Sequence, residues 1–145
     1  MSACTFFGHR DCYGLDRESL SRTIEDLIGR GVDTFYVGHQ GQFDGAVHSI
    51  LRQLSEKYPH ISYQIVLAYL PAQKQEFADY SDTVYPEGME TVPLKFAISH
   101  RNRWMLNNAE YCLCYIQHTW GGAYQSAKEA KKKGKTVINL AKMEI

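Results

Sequence analysis

Thr34-Phe35-Tyr36-Val37-Gly38-His39-Gln40-Gly41-Gln42-Phe43-Asp44-Gly45 decides how this chain is read. Four residues of strand character run into a glycine turn, and a helical period opens behind it. The same arrangement recurs at Gly8-His9-Arg10, after the apolar run 4–7, and at Gln117-His118-Thr119-Trp120-Gly121-Gly122, after the run 111–116. Glycine lets a backbone approach a ligand closely, and the N–H groups that open a helix have no partner inside it. Three such turns, with histidine or arginine in them, point to a phosphate-bearing small ligand. They do not say whether it is cleaved or only bound.

Working outward, strand-like runs at 4–7, 34–37, 61–69, 111–116 and 136–140 alternate with helical periods at 17–30, 43–58, 94–108 and 124–133. In the first helix Leu20, Ile24, Leu27 and Ile28 recur at helical spacing and Gly31 ends it. Alternation of this kind implies crossover connections, hence an α/β fold with a parallel sheet and helices on both faces. Ligands of such sheets sit beyond the carboxyl ends of the strands, which places all three glycine turns on one edge. The interval 71–93 breaks the rhythm with three prolines and several tyrosines, around a short helical stretch near 73–80. A long irregular insert in a small domain is a functional candidate.

At 145 residues the chain is expected to be a single domain, 1–145. Lys plus Arg and Asp plus Glu are 16 each. That balance counts against extended nucleic-acid binding, so nucleic acid is disfavoured as a partner. It does not count against one nucleotide-like small molecule, whose phosphate needs only a cation or two. No apolar stretch is long enough for a membrane span, and the first residues read as a strand rather than a signal peptide. Cys4, Cys12, Cys112 and Cys114 lack zinc-site spacing and read as free thiols of a cytoplasmic protein.

Within the turns, Arg10 is the expected phosphate cation, because its planar fork matches phosphate oxygens. Asp44 stands where a helix begins, either as its N-cap or as acceptor for a ligand hydroxyl such as a ribose's. His9, His39 and His118 follow different strands and could converge, but nothing in their spacing is specific to a metal, so no metal and no cofactor is expected. Arg101 and Arg103 point to different sides of their helix, and Arg103 is the one carried forward. Gly8, Gly38, Gln40, Gly121, Gly122 and Ala123 complete the expected ligand-binding set with His9, Arg10, Asp44, Arg103 and His118. No catalytic residue is assigned; Glu76, Glu87 and Glu90 are the glutamates of the insert, and Tyr69, Tyr80 and Tyr85 are candidates to stack on a base.

The order of these motifs resembles the SLOG superfamily of Rossmann-like domains. Gly8-His9-Arg10 with Tyr13-Gly14, Phe43-Asp44-Gly45-Ala46-Val47-His48, Arg101-Asn102-Arg103-Trp104-Met105 and Gly121-Gly122 carry the resemblance. The superfamily includes the DNA-processing Smf proteins, the "lonely guy" phosphoribohydrolases and the short YpsA/YoqJ-like proteins, whose layout is nearest. The resemblance implies a Rossmann-like three-layer sandwich, a five-stranded sheet of order 3-2-1-4-5, and a nucleotide-derived ligand. Oligomerisation through Trp104 or Trp120 would follow from it as well, as a homo-oligomer. Ala123 stands where the pattern has threonine. Trp120, Tyr124 and Lys128 replace the proline, glycine and catalytic glutamate of the hydrolase signature. Binding or sensing of the ligand is therefore the first expectation. An N-glycosidic hydrolase is the alternative, and single-stranded DNA binding like that of Smf proteins the third.

Overall fold

A computed structural model describes residues 2–69 and 82–145. Six strands and four α-helices follow in order among them. They are β1 (Ser2–Gly8), α1 (Arg17–Gly29), β2 (Val32–Val37), α2 (Gly41–Lys57), β3 (Ser62–Val66), β4 (Thr83–Val84), α3 (Ala97–Asn107), β5 (Tyr111–Tyr115), α4 (Gly122–Lys132) and β6 (Thr136–Asn139). Two single 3₁₀ turns, Met89–Thr91 and Leu94–Phe96, lead into α3. All strand pairs are parallel, and the sheet runs β4-β3-β2-β1-β5-β6.

The five expected strands keep their expected order, and the count is corrected to six. The addition is β4, two residues from the end of the insert that pair with Ile65 and Val66 of β3. A strand of two residues is too short to show alternation, so only its pairing reveals it. The helical stretch expected near 73–80 lies outside the described residues, as do Glu76 and Tyr80.

Period-two and period-3.6 burial divide the core between the two sheet faces. Cys4 and Phe6 of β1 join the α1 stripe of Leu20, Ile24, Leu27 and Ile28 and the α2 residues Phe43, Val47 and Leu51. Phe7 instead packs with Met105 and Leu106 of α3, Cys112 and Cys114 of β5, and Ala127 and Ala130 of α4. Helices α1 and α2 thus cover one face, and α3 and α4 the other. Asp16 caps α1, its carboxylate accepting from the N–H groups of Glu18 and Ser19 at 3.0 and 3.3 Å.

Chain order reverses beside β1: β2, β3 and β4 build outward on one side, β5 and β6 on the other. The crevice between the carboxyl ends of β1 and β5 is the switch point at which such sheets hold ligands. One close contact sets its depth. A Cβ placed on Gly8 would sit 2.2 Å from Cγ of the buried Phe43 ring. Only glycine lets the first turn of α2 press against the end of β1.

Gly8→Ala is therefore expected to destabilise by about 3 kcal/mol, the upper range for overpacking a dense core. Gly29→Ala, where an added Cβ meets nothing within 4 Å, serves as the control. Thermal unfolding checks both; equal midpoints for the two variants would contradict the account.

Candidate functional site at the strand ends

Two neighbouring cavities open at the switch point. The first, of about 230 Å³, is lined by residues that include Gly8, Arg10, Asp44, Arg101, Asn102 and Gly122. The second, of about 440 Å³, is lined by Arg10, Tyr13, Gln117, His118, Trp120 and Gly121 among others. Gly8, Arg10, Gly122 and Ala123 line both. The first and third glycine turns are thus brought together, as strand-end reasoning expects.

The second turn is used differently. Gln42 N–H donates to the Arg10 carbonyl at 2.8 Å, and Gly41, at φ +87°, lies so close that a Cβ would be 2.8 Å from the Arg10 Cα. Gln40 is the N-cap residue of α2 and makes no side-chain cap. Asp44, in the first helical turn, folds back to accept from Gln40 N–H at 2.9 Å. Amide groups that open α2 are therefore satisfied inside the protein, and Asp44 is not the N-cap. Gln40 lines the first cavity, whereas Gly38 is buried beneath it.

Gly38 explains how two buried charges meet. A Cβ there would be 2.8 Å from both Arg101 Nη1 and Asp44 Oδ2. Arg101 is 3% exposed; its Nη1 donates to the Val66 carbonyl at 3.2 Å and its Nε to Asn102 Oδ1 at 2.8 Å. Burial pulls the guanidinium below its usual range, with Asp44 opposing. Burial likewise pushes the Asp44 carboxyl up to about 6, against the pull of the Gln40 N–H and of Arg101. A carboxyl half-protonated at about pH 6 can, around that pH, either donate to or accept from a ligand hydroxyl.

This pair involves Arg101, not the Arg103 carried forward from the sequence. Arg103 is exposed and does not line the cavity, while Arg101 does. The signal was present in the sequence. Ala97, Arg101 and Met105 recur every four residues along α3, and all three are buried. A charge set on an apolar stripe marks a side chain held for a purpose.

Of the three histidines that could converge, His9 and His118 do, in a column of rings with Trp120 that the sequence did not suggest. His9 is 8% exposed, and its Nε2 accepts from Gln117 N–H at 3.1 Å, tying the end of β1 to the segment after β5. Its ring stacks on His118 at 3.5 Å between centroids, and His118 stacks on Trp120 at 3.8 Å, both at 16°. Burial, and next the neighbouring His118, hold His9 below its usual pKa, so the column's base is kept neutral. His39 is exposed and lies outside this column. Among the described residues no group of three His, Cys, Asp or Glu is placed to hold a metal ion.

Helix α4 starts two residues earlier than periodicity suggests, at Gly122, with Gly121 at φ +94° before it. Its N-terminal turn thus borders the same space as Arg10. Cys12, half-buried, ties this loop to α2: its N–H donates to Gln42 Oε1 at 3.1 Å. The insert's Glu87 and Glu90 are exposed and line neither cavity, and Tyr85 packs against the small cluster of Ala68, Met89 and Ala97.

Asp44 sets a testable pH dependence. Its folded pKa lies above its ordinary 3.8, so the native state holds the proton more tightly than the unfolded chain. The stability this gives is complete below about pH 4 and is lost as pH rises towards 6. The full loss is about 3 kcal/mol. Asp44→Asn should remove this fall in thermal midpoint between about pH 4 and 6, and an unchanged pH profile would contradict it.

No protein-family model matches the chain, and no curated protein matches it. Solved structures share its fold, among them two DNA processing proteins. The X-ray structure of DNA processing protein A (DprA) from Streptococcus pneumoniae matches with a TM-score of 0.69 at 19% identity, over 94% of this chain and 49% of that one. DNA processing protein A from Helicobacter pylori, described in a single-stranded DNA binding mode, matches at 0.64 and 15%, over 94% of this chain and 63% of that one. The chain therefore spans less than two thirds of either protein. The Helicobacter structure also corrects the reading that disfavoured nucleic acid: a protein that contains this fold is described there in a single-stranded DNA binding mode. Net charge averages the whole surface, whereas a strand meets only the few groups along its path. No helix among the described residues is long and apolar enough to cross a membrane. In its fold the chain is a Rossmann-like α/β protein similar to the DNA processing protein A structures, with one edge strand beyond the five that its sequence suggests.

Proposed function

We propose that the chain binds a nucleotide unit at the crevice between β1 and β5, presented by single-stranded DNA. Arg10 and the opening turn of α4 would hold its phosphate. One observation carries the reading: an exposed arginine and a helix N-terminus line the same two cavities at the switch point of a parallel sheet. Two structures of DNA processing proteins on this fold, one in a single-stranded DNA binding mode, support a strand as the source of the phosphate.

A free nucleotide is the second reading, favoured by the first cavity, which the buried Asp44 and Arg101 both line. A cavity of about 230 Å³ suits one small polar ligand, with Asp44 meeting a sugar hydroxyl. The motif order shared with the short YpsA/YoqJ-like proteins also supports it. Cleavage is no part of either reading, because Lys128 stands where the cleaving relatives carry their glutamate.

Fluorescence anisotropy with an oligothymidine of about 16 nucleotides, across a salt series, tests the proposal. Affinity should fall as salt rises, and Arg10→Ala should weaken binding while reducing the log–log salt slope by about one. Binding of a nucleoside monophosphate with none of the oligonucleotide would establish the second reading instead. Absence of both would remove the two together.

A further inference from the structure

We propose that the outward face of Trp120 is a stacking platform for an unpaired nucleobase. The inference rests on the strand-binding reading and says how a base, rather than the phosphate, is engaged.

Trp120 is 66% exposed, which is uncommon for so large an apolar ring. It is not a loose side chain. Its inner face lies on His118, and His118 lies on His9, which is buried and hydrogen-bonded to the segment after β5. Three nearly parallel rings therefore run from the strand ends to the surface and hold the indole in one orientation. A ring already ordered loses little side-chain freedom when a base stacks on it. The hydrogen bond from Gln117 N–H to His9 Nε2 fixes the column at its base.

What surrounds the platform names its occupant. The cavity beside Trp120 is also lined by Arg10 and by Tyr13, itself 76% exposed. A cation next to exposed aromatic rings is the composition of a single-strand groove, where phosphates meet the charge and bases meet the π-faces. The π-faces of paired bases are covered by their neighbours in a duplex, so such a site selects unpaired ones. Stacking is tolerant of base identity and insensitive to salt, which suits a chain with no basic excess.

Binding of three probes tests this: oligothymidine, an abasic deoxyribose-phosphate oligomer of equal length, and a duplex. Each is titrated against the whole protein, Trp120→Ala and Trp120→Phe. Oligothymidine is expected to quench Trp120 emission. The signal is assignable because the one other tryptophan, Trp104, is packed edge-on against Tyr36 and survives in both variants. Trp120→Ala should weaken oligothymidine binding roughly tenfold or more, Trp120→Phe far less, and neither should alter binding of the abasic oligomer. Duplex should bind the whole protein less tightly than oligothymidine. Oligothymidine binding that Trp120→Ala leaves unchanged would overturn the platform while leaving the strand-binding reading intact. Equal losses for both single-stranded oligomers would assign Trp120 to holding the loop, and so overturn it too. A dimer that dissociates in Trp120→Ala, with unaltered oligothymidine affinity, would assign the ring to a second copy of the chain. Failure of the whole protein to bind either single-stranded oligomer would remove the reading and the platform together.

Discussion

The approach of α2 to the end of β1 governs the rest of the molecule. Phe43 fills the space where a side chain on Gly8 would be, and it anchors the helix to the core on that face. The next residue along, Asp44, is thereby carried to the crevice. At Gly38 the same economy of volume admits a carboxylate and a guanidinium into a space that one methyl group would close. Sheet packing and site chemistry therefore meet in two glycines.

This constraint sorts the three turns by role. The turn before α2 is closed by its own hydrogen bonds, from Gln42 N–H to Arg10 and from Gln40 N–H to Asp44. Its glycines serve close packing. The turns after β1 and β5 keep their surroundings open, and both cavities lie between them. Asp44 and Arg101 stand near each other without forming one of the ion pairs seen on the surface, such as Arg30 with Asp26. Arg101 is held by the Val66 carbonyl and Asn102, and Asp44 by Gln40 N–H, so each buried charge is satisfied by neighbours other than the other charge.

Much of the fold was legible because its signals are local. Strand runs, helical stripes such as Leu20-Ile24-Leu27-Ile28, and terminal glycines each lie within a few residues of sequence. The order of the five main strands was implied by the family resemblance, not by any local signal. The sixth escapes because Thr83–Val84 is defined by its partner rather than by its own pattern. The site was half legible for the same reason. Arg10, Gly121 and Gly122 are marked by position after a strand. The choice between Arg101 and Arg103 turns on which face of α3 is buried, and the His9–His118–Trp120 column joins residues more than a hundred positions apart. Strand-end placement brings His9 and His118 to one edge, but the stacking of their rings and of Trp120 leaves no trace in a single sequence. Net charge is the opposite case, a global sum used to judge an interaction that acts locally.

The cysteines give the crevice a built-in chemical address. Cys4, Cys112 and Cys114 are sealed in the core, and the thiols of Cys4 and Cys112 are pushed far towards the protonated form. Cys12 alone is partly open to solvent, two residues from Arg10, and burial raises its pKa as well. A slow alkylating reagent at mildly alkaline pH would therefore attach a fluorophore or spin label beside the crevice without any engineered residue. The native protein thus comes with a single natural attachment point for observing whatever enters there.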